Sequence, residues 1–319
     1  MNSRVAPANP LDPIDPVLDP PPSASIVQGT LASDLSQLAK TRLTALVVVT
    51  TLAGYLLASR GSLDWMRLFH TLLGTTLVAI CSSILNQAFE RDTDALMRRT
   101  ELRPLVTRRL PLRATVSSGL LLGTIGLVEL AVFVNSITTV LTALTLAVYV
   151  LAYTPLKRLT ALNTLVGAIP GALPPLIGAT AARGHFNAEG WCLFAILAAW
   201  QLPHFYAIAW LYRDDYRAAG LRMVSVADAS GRKTAWHALI SALILFPVSL
   251  LPVWAGFASF FYGACAVILS ALFVRAGIRF VQRPERPQAR ALFLFSIIYL
   301  PVLLAMLALD IPVRHWLGR

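Results

Sequence analysis

The sequence predicts an all-α protein that crosses a membrane about nine times. Of its 319 residues, 56% are hydrophobic and only 13% are charged, and the mean hydropathy is +0.66. A soluble domain of this size has about 25% charged residues. Apolar runs of roughly 20 residues, long enough to cross a ~30 Å hydrocarbon core, recur along the chain. We predict nine spans, at 43–59, 66–88, 114–134, 137–155, 162–182, 190–211, 237–256, 258–275 and 291–310.

The first 38 residues differ in composition and are predicted to form a disordered cytoplasmic tail. Seven of the 20 prolines lie within the first 22 residues. Such a segment cannot bury enough apolar surface to order itself. No basic region leads into a short apolar core, so the segment does not resemble a secretory signal. The sequence therefore predicts two parts, the tail 1–38 and a nine-helix domain at 39–319.

The distribution of Lys and Arg predicts the orientation, because cytoplasmic loops are enriched in these residues. With nine spans and a cytoplasmic N-terminus, 22 of the 27 basic residues face the cytoplasm. We therefore predict a periplasmic C-terminus and a location in the bacterial inner membrane. The net charge of +11 is explained by this topology and suits anionic lipid headgroups, so it does not indicate nucleic-acid binding.

The first candidate site lies at the cytoplasmic end of the second span. Asn86, Glu90 and Asp94 are spaced i, i+4, i+8 and so share one helical face. Asp92 lies about 200° round from Glu90 at ~100° per residue, so it reaches this face only if the helix frays. Carboxylates are hard ligands that magnesium prefers, and ionisable groups at membrane depth are usually functional. The alternative is a solvated helix end whose acids are balanced by nearby arginines.

A second polar segment follows the sixth span. It comprises Trp200-Gln-Leu-Pro-His-Phe-Tyr206 and then Asp214-Asp215-Tyr216. An internal duplication of four helices, with a ninth helix appended, would place the two acidic clusters opposite each other. They could then share metal ions that bridge one diphosphate. Four basic residues predicted on the same side could take the remaining phosphate charge: Lys40, Arg42, Lys157 and Arg158.

These segments, over roughly residues 38–310, resemble the motifs of a known family. The first cluster continues into Met97, Arg99, Thr100 and Arg103, and the chain also contains Tyr153-Thr-Pro-Leu-Lys-Arg158 and Gly171-Ala-Leu-Pro-Pro175. Together with Trp-Gln-x-Pro-His-Phe and Asp-Asp-Tyr-x-x-Ala-Gly-x-x-Met, they resemble the UbiA-type intramembrane prenyltransferases, and within them the protohaem IX farnesyltransferase (haem O synthase) subfamily. Glu90 departs from the aspartate usual there but keeps the charge.

The resemblance implies a UbiA-like helical bundle that uses Mg²⁺, farnesyl diphosphate and haem B. It implies these metal ligands: Asn86, Glu90, Asp92, Asp94, Asp214 and Asp215. It implies these catalytic residues: Asn86, Glu90, Asp94, Asp214, Asp215 and Lys157. It implies further substrate contacts from Lys40, Arg42, Arg103, Arg158, Tyr153 and His204. The allylic cation left when pyrophosphate departs would be attacked by a vinyl group of haem B, and water would capture the new cation. A haem A synthase-type protein is the implied partner.

Two kinds of side chain have competing interpretations. His204 would contact haem, as an iron ligand or through a propionate or a water. Alternatively, it is a helix-packing histidine satisfied by a neighbour across the bundle. The ring faces of Tyr153 and Tyr216 could stabilise a carbocation, although aromatic residues near span ends also form the interfacial belt. The prolines of the fifth span predict a broken or kinked helix that lines a substrate cavity.

Two other functions are compatible with parts of the sequence. A polyprenyl transferase that acts on an aromatic quinone precursor would need an acceptor pocket but not His204. A secondary transporter built from repeats keeps its charged site near the bilayer midplane. Both acidic clusters here lie at helix ends, which disfavours the transporter.

Overall fold

The computed structural model of this chain describes residues 29–60 and 62–316, with side chains described up to residue 310. Within these residues the secondary structure is helical and contains no strand. The helices are α1 (Leu31–Leu38), α2 (Thr41–Ser59), α3 (Trp65–Asp94), α4 (Leu112–Phe133), α5 (Ser136–Ala147), α6 (Thr154–Leu159), α7 (Asn163–Arg183), α8 (Ala188–Leu211), α9 (Arg213–Ala218), α10 (Val224–Ala227), α11 (Arg232–Val248), α12 (Leu251–Trp254), α13 (Phe260–Gln282) and α14 (Arg286–Trp316).

Nine segments of the described chain are long and apolar enough to cross a membrane, which confirms the prediction of about nine spans. They are Thr41–Ser59, Trp65–Asp94, Leu112–Phe133, Ser136–Leu159, Asn163–Arg183, Ala188–Leu211, Arg232–Trp254, Phe260–Gln282 and Arg286–Asp310. Several helices run past the apolar stretch that predicted them. For example, α3 continues to Asp94 rather than 88, because helical hydrogen bonding does not end where the apolar run ends. We call the end of the bundle where α3 ends and α7 begins the polar end.

The centre of the bundle is formed by α7 and α8, the most buried of the nine spans. The backbones of α7 and α2 are in direct contact. A Cβ atom added at Gly54 would lie 1.9 Å from the carbonyl oxygen of Pro175, and one added at Gly178 would lie 1.9 Å from that of Thr51. Small residues permit such close approach where lipid provides no hydrophobic driving force between helices. The α2–α7 contact therefore depends on these two glycines.

The fifth span is not broken, so that part of the prediction is wrong. α7 is helical throughout, with Pro170, Pro174 and Pro175 inside it. The backbone irregularity lies in the fourth span instead, where a π-helix at Val148–Tyr153 separates α5 from α6. Such π segments are frequent at functional sites because they redirect the side chains that follow them.

The predicted disordered tail also needs a correction at its boundary. Residues 1–28 lie outside the described residues, and the prediction for them stands untested. Residues Leu31–Leu38, however, form α1, whose first turn is capped by the Thr30 hydroxyl. Asp34 and Leu38 are buried on one face of α1, against residues distant in sequence. Composition alone cannot reveal those long-range contacts, so the predicted disordered tail is wrong for residues Leu31–Leu38.

Candidate active site

A polar cavity of about 360 Å³ opens at the polar end of the bundle. Asn86, Glu90 and Asp94 line it together, so the structure confirms that they share one face of α3. Asn86 and Asp94 are only 0% and 1% exposed. The alternative of a solvated helix end is therefore wrong for these two residues.

Each polar side chain of this face has a basic partner. The Lys40 ammonium donates to Asn86 Oδ1 at 2.7 Å, and the Lys157 ammonium donates to Glu90 Oε1 at 2.6 Å. Arg103 pairs with Asp94 Oδ2. With Arg99, which also lines it, the cavity combines two carboxylates with four basic side chains, an excess of positive charge that suits an anionic ligand carrying its own divalent cation.

Lys40 reaches the cavity from an unusual backbone position. It is the junction between α1 and α2, and its φ of 45° lies in the left-handed region. Burial, followed by the positive charge of Arg103, lowers the pKa of Lys40 to about 7. An anion bound in the cavity would favour the charged ammonium, because opposite charges at short range stabilise each other.

Asp92 and the second acidic cluster do not line the cavity. The Asp92 side chain is 82% exposed beside Arg91, so the helix does not fray to bring it in. Asp214 is 67% exposed and pairs with Arg217 at 3.0 Å. The helical turn of α9 instead directs Tyr216, which is 8% exposed, into the cavity wall. The predicted meeting of two acidic clusters is therefore not seen, and among the described residues no group of three or more His, Cys, Asp or Glu side chains could hold a metal ion.

The predicted basic residues divide in the same way. Lys40, Arg103 and Lys157 line the cavity, whereas Arg42 and Arg158 lie outside its wall. Arg42 is exposed, and Arg158 donates to the Thr93 hydroxyl. In both cases the helical direction of the side chain, rather than proximity in sequence, decides whether the charge faces the cavity.

Arg99 also lines the polar cavity, and sequence reasoning gave it no role. Its guanidinium carbon lies 4.9 Å from the ring centroid of Tyr212 and 5.9 Å from that of Tyr216. Such cation–π contacts orient the guanidinium without neutralising it. The Met-x-Arg-Thr part of the motif contained this signal, since Arg99 stands beside Thr100, another residue of the cavity wall.

A second, apolar cavity of about 290 Å³ lies deeper in the bundle and shares Tyr153 and Phe205 with the first. Tyr149 and Pro174 are among the residues that line it. Tyr153 stands at the junction, with its ring centroid 4.5 Å from the Lys157 ammonium. A Cβ added at Gly167 would lie 2.4 Å from this ring, so a glycine is needed there for the tyrosine to keep its place.

His204 does not line either of the two cavities. Its Nδ1 lies 2.6 Å from the hydroxyl oxygen of Ser296 in α14. Because that hydroxyl donates to the Phe293 carbonyl, the imidazole Nδ1–H is the donor to Ser296. The ring also stacks on Trp200, with centroids 5.1 Å apart. These contacts are those of a helix-packing histidine. The predicted contact of His204 with haem has no support from the walls of the two cavities.

The class of protein follows from the nine-helix bundle and from comparison with known sequences. The chain belongs to the UbiA prenyltransferase family, whose model matches residues 47–299. It is similar to the protoheme IX farnesyltransferase of Solibacter usitatus (strain Ellin6076), at 40% identity over 88% of this chain and 99% of that protein. The protoheme IX farnesyltransferase of Koribacter versatilis (strain Ellin345) is 41% identical, over 88% of this chain and 94% of that one.

Solved structures have the same fold at low sequence identity. One described as a digeranylgeranylglyceryl phosphate synthase in membranes gives a TM-score of 0.75 at 16% identity, covering 88% of this chain and 98% of that chain. The structure of a UbiA homolog from Archaeoglobus fulgidus, bound to GPP and Mg²⁺, gives a TM-score of 0.62 at 12% identity. The match covers 86% of this chain and 100% of that chain. These likenesses confirm the predicted all-α, UbiA-like architecture.

Proposed function

We propose that this membrane prenyltransferase transfers a farnesyl group from farnesyl diphosphate to a vinyl group of haem B, with addition of water, giving haem O and diphosphate. The observation that carries the proposal is the junction of a cation-rich cavity with an apolar one at Tyr153 and Phe205. A ligand with a charged head and a long apolar tail fits such a pair of cavities. The names of the relatives at about 40% identity support the choice of donor and acceptor.

The residues of the α3 face fit a magnesium ion. Asn86, Glu90 and Asp94 offer the hard oxygen donors that magnesium prefers. Asp94 Oδ1 is buried without a hydrogen-bond partner among the described residues, which leaves a ligand position open. Bound magnesium would neutralise charge on diphosphate oxygens as a Lewis acid. Asp92, Asp214 and Asp215 are omitted from this proposed set because they lie outside the cavity wall.

The basic residues act on the leaving group. When the bond between the allylic carbon and oxygen breaks, its electron pair stays with the diphosphate. Lys40, Arg103 and Lys157 line the cavity together, which supports a role in stabilising that charge where it develops, usually the largest catalytic contribution. Arg99 adds a fourth cation to the same wall.

The apolar cavity protects the cation that remains on the farnesyl chain. Tyr149 and Tyr153 line this cavity, and aromatic rings can stabilise positive charge. The wall is mainly apolar, with Gln201 and several Ser and Thr hydroxyls among its residues, and its apolar part limits access of water to the cation. The vinyl group of haem B then supplies the electron pair for the new carbon–carbon bond, and water adds to the resulting cation with loss of a proton.

One observation favours a second candidate, a polyprenyl transferase that acts on an aromatic quinone precursor. That function does not require His204 in the site, and His204 packs against α14 instead. The two candidates differ in the acceptor. Purified protein should therefore be given farnesyl diphosphate, magnesium and either haem B or an aromatic acid, and the products analysed by mass. Haem that gains one farnesyl group plus water supports our proposal, whereas prenylation of the aromatic acid alone would replace it.

We also propose that the protein lies in a bacterial inner membrane with its N-terminus cytoplasmic and its C-terminus periplasmic. The asymmetry of basic residues and the odd number of spans in the described chain support this. Cysteine-accessibility labelling at the two ends of the bundle would test the orientation. A haem A synthase-type partner stays a prediction from the sequence.

A further inference from the structure

The polar cavity receives three of its four basic residues from segments that lie outside the membrane spans, and Arg99 and Arg103 share one loop. Lys40 comes from the junction after α1, and Arg103 comes from the loop at 95–111 between α3 and α4. An ion pair between the buried carboxylate of Asp34 and Arg109 connects α1 to this loop, beside the packing of Leu38 against Leu105. We propose that Asp34 and Arg109 are positioning residues that hold Lys40 and Arg103 in place for a diphosphate. This inference rests on the proposed function of the cavity.

The geometry of the pair is that of a fixed connection rather than a mobile surface contact. Asp34 is 3% exposed. Arg109 Nε donates to both carboxylate oxygens, at 3.1 and 3.0 Å, and its Nη2 donates to Oδ1 at 2.8 Å. Forked arginine–carboxylate contacts fix orientation as well as distance.

Arg109 extends this connection to the residue beside Arg103. Its Nη2 also donates to the carbonyl oxygen of Leu102 at 3.0 Å. The neighbouring Arg108 has a φ of 58°, a left-handed conformation that is costly for a residue with a side chain. Such a conformation persists where surrounding contacts over-determine it, and the pair with Asp34 constrains the residue that follows Arg108.

On the other side of the pair, α1 sets the place of Lys40. Gln87 Nε2 donates to the carbonyl oxygens of Leu38 at 2.9 Å and of Gln37 at 3.2 Å, which holds the C-terminal end of α1. Lys40 follows two residues after Leu38 and contacts Asn86, the neighbour of Gln87. α1 is therefore held by Gln87, by the packing of Leu38 against Ile84 and Leu105, and by Asp34, whose ion pair fixes its orientation toward the loop.

A second ion pair with a buried carboxylate offers a matched control, although its arginine, Arg60, is 66% exposed. Glu189, with its side chain 2% exposed, pairs with Arg60 at 2.6 Å. This pair joins the end of α2 to the start of α8 at the opposite end of the bundle, and neither residue belongs to the walls of the two cavities described. Both pairs combine a buried carboxylate with an arginine, but only Asp34–Arg109 connects segments that carry cavity cations. A purely structural role would give the same outcome in both.

The test compares Asp34→Asn with Glu189→Gln in the full-length detergent-purified protein. We expect Asp34→Asn to raise the KM for farnesyl diphosphate and the inhibition constant for inorganic pyrophosphate with magnesium by about tenfold, equivalent to about 1.4 kcal/mol. The KM for haem B should stay within about twofold of wild type, since a positioning pair at the diphosphate site does not act on the acceptor. Glu189→Gln should lower the melting temperature without changing either constant.

Arg109→Lys provides a second variant if Asp34→Asn fails to fold. It keeps the charge but loses the fork and the bond to Leu102, so it should also weaken pyrophosphate binding. Binding of pyrophosphate with magnesium, measured by calorimetry, needs no acceptor. The test therefore still decides the role of the ion pair if the protein does not prenylate haem. Unchanged pyrophosphate affinity in the folded variants would overturn the inference, as would an equal loss of affinity in Glu189→Gln.

Discussion

An Asp94→Asn variant separates a metal-binding role of Asp94 from a structural one. Asparagine keeps the shape of the side chain and an oxygen that can still accept from Arg103, but it removes the negative charge. Asp94 is 1% exposed, whereas the Arg103 side chain is 23% exposed and can be hydrated when its partner changes. Charged hydrogen bonds contribute roughly 1 kcal/mol more than neutral ones, so we expect a stability loss of about 1 kcal/mol.

The expected loss of activity is much larger than this loss of stability. Removing one group that stabilises developing charge costs about 10²–10³ in kcat, or about 2.7–4 kcal/mol. We therefore expect kcat to fall by at least about 100-fold, while the melting temperature falls by only about 2–4 °C. The assay is the initial rate of haem O formation at saturating farnesyl diphosphate and magnesium, with thermal melting of the same preparation.

Asp92→Asn is the matched control for this variant. It makes the same chemical change two residues away, on a side chain that is 82% exposed and points away from the cavity. Its kcat should stay near wild type. The reasoning is refuted if Asp94→Asn retains near-normal kcat, or if the two variants lose activity equally.

Three further outcomes are expected. Lys157→Met should lower kcat by about 100-fold, because the cation beside Glu90 that faces the leaving group is lost; a normal rate would remove Lys157 from the mechanism. His204→Ala should lower the melting temperature through the lost bond to Ser296 but leave the KM for haem B unchanged, and a large rise in that KM would restore the haem contact. Burial opposes ionisation of Asp228, but hydrogen bonds from Thr234 more than compensate, so its pKa is lowered. The ionised Asp228 therefore stabilises the folded protein above the carboxyl pKa of the unfolded chain, and this stability is lost as the pH falls through the lower pKa of the folded protein. Asp228→Asn should have a lower melting temperature than wild type at pH 7, and the difference between the two melting temperatures should shrink below about pH 4. An unchanged difference at about pH 3 would contradict this.

The properties that the sequence predicted well are local ones. Span positions follow from apolar length, and the shared face of Asn86, Glu90 and Asp94 follows from helical geometry, so both were correct. The direction of Asp92 away from that face followed from the same geometry. These features need no knowledge of which helices touch.

The properties that the sequence could not give depend on partners far along the chain. His204 contacts Ser296, and Asp34 pairs with Arg109, only when the helices are packed in the bundle. The same is true of α9, where packing directs Tyr216 inward and leaves Asp214 outside. The π-helix at Val148–Tyr153 likewise has no signature in apolar periodicity.

The most direct test of the central claim is a structure of the protein with magnesium and a non-hydrolysable thiodiphosphate analogue of farnesyl diphosphate. We expect the diphosphate in the polar cavity, with magnesium against Glu90 and Asp94 and with Arg103 and Lys157 at the phosphate oxygens. The farnesyl chain should pass Tyr153 and Phe205 into the apolar cavity. A diphosphate bound elsewhere, or a chain that leaves the apolar cavity empty, would contradict the account.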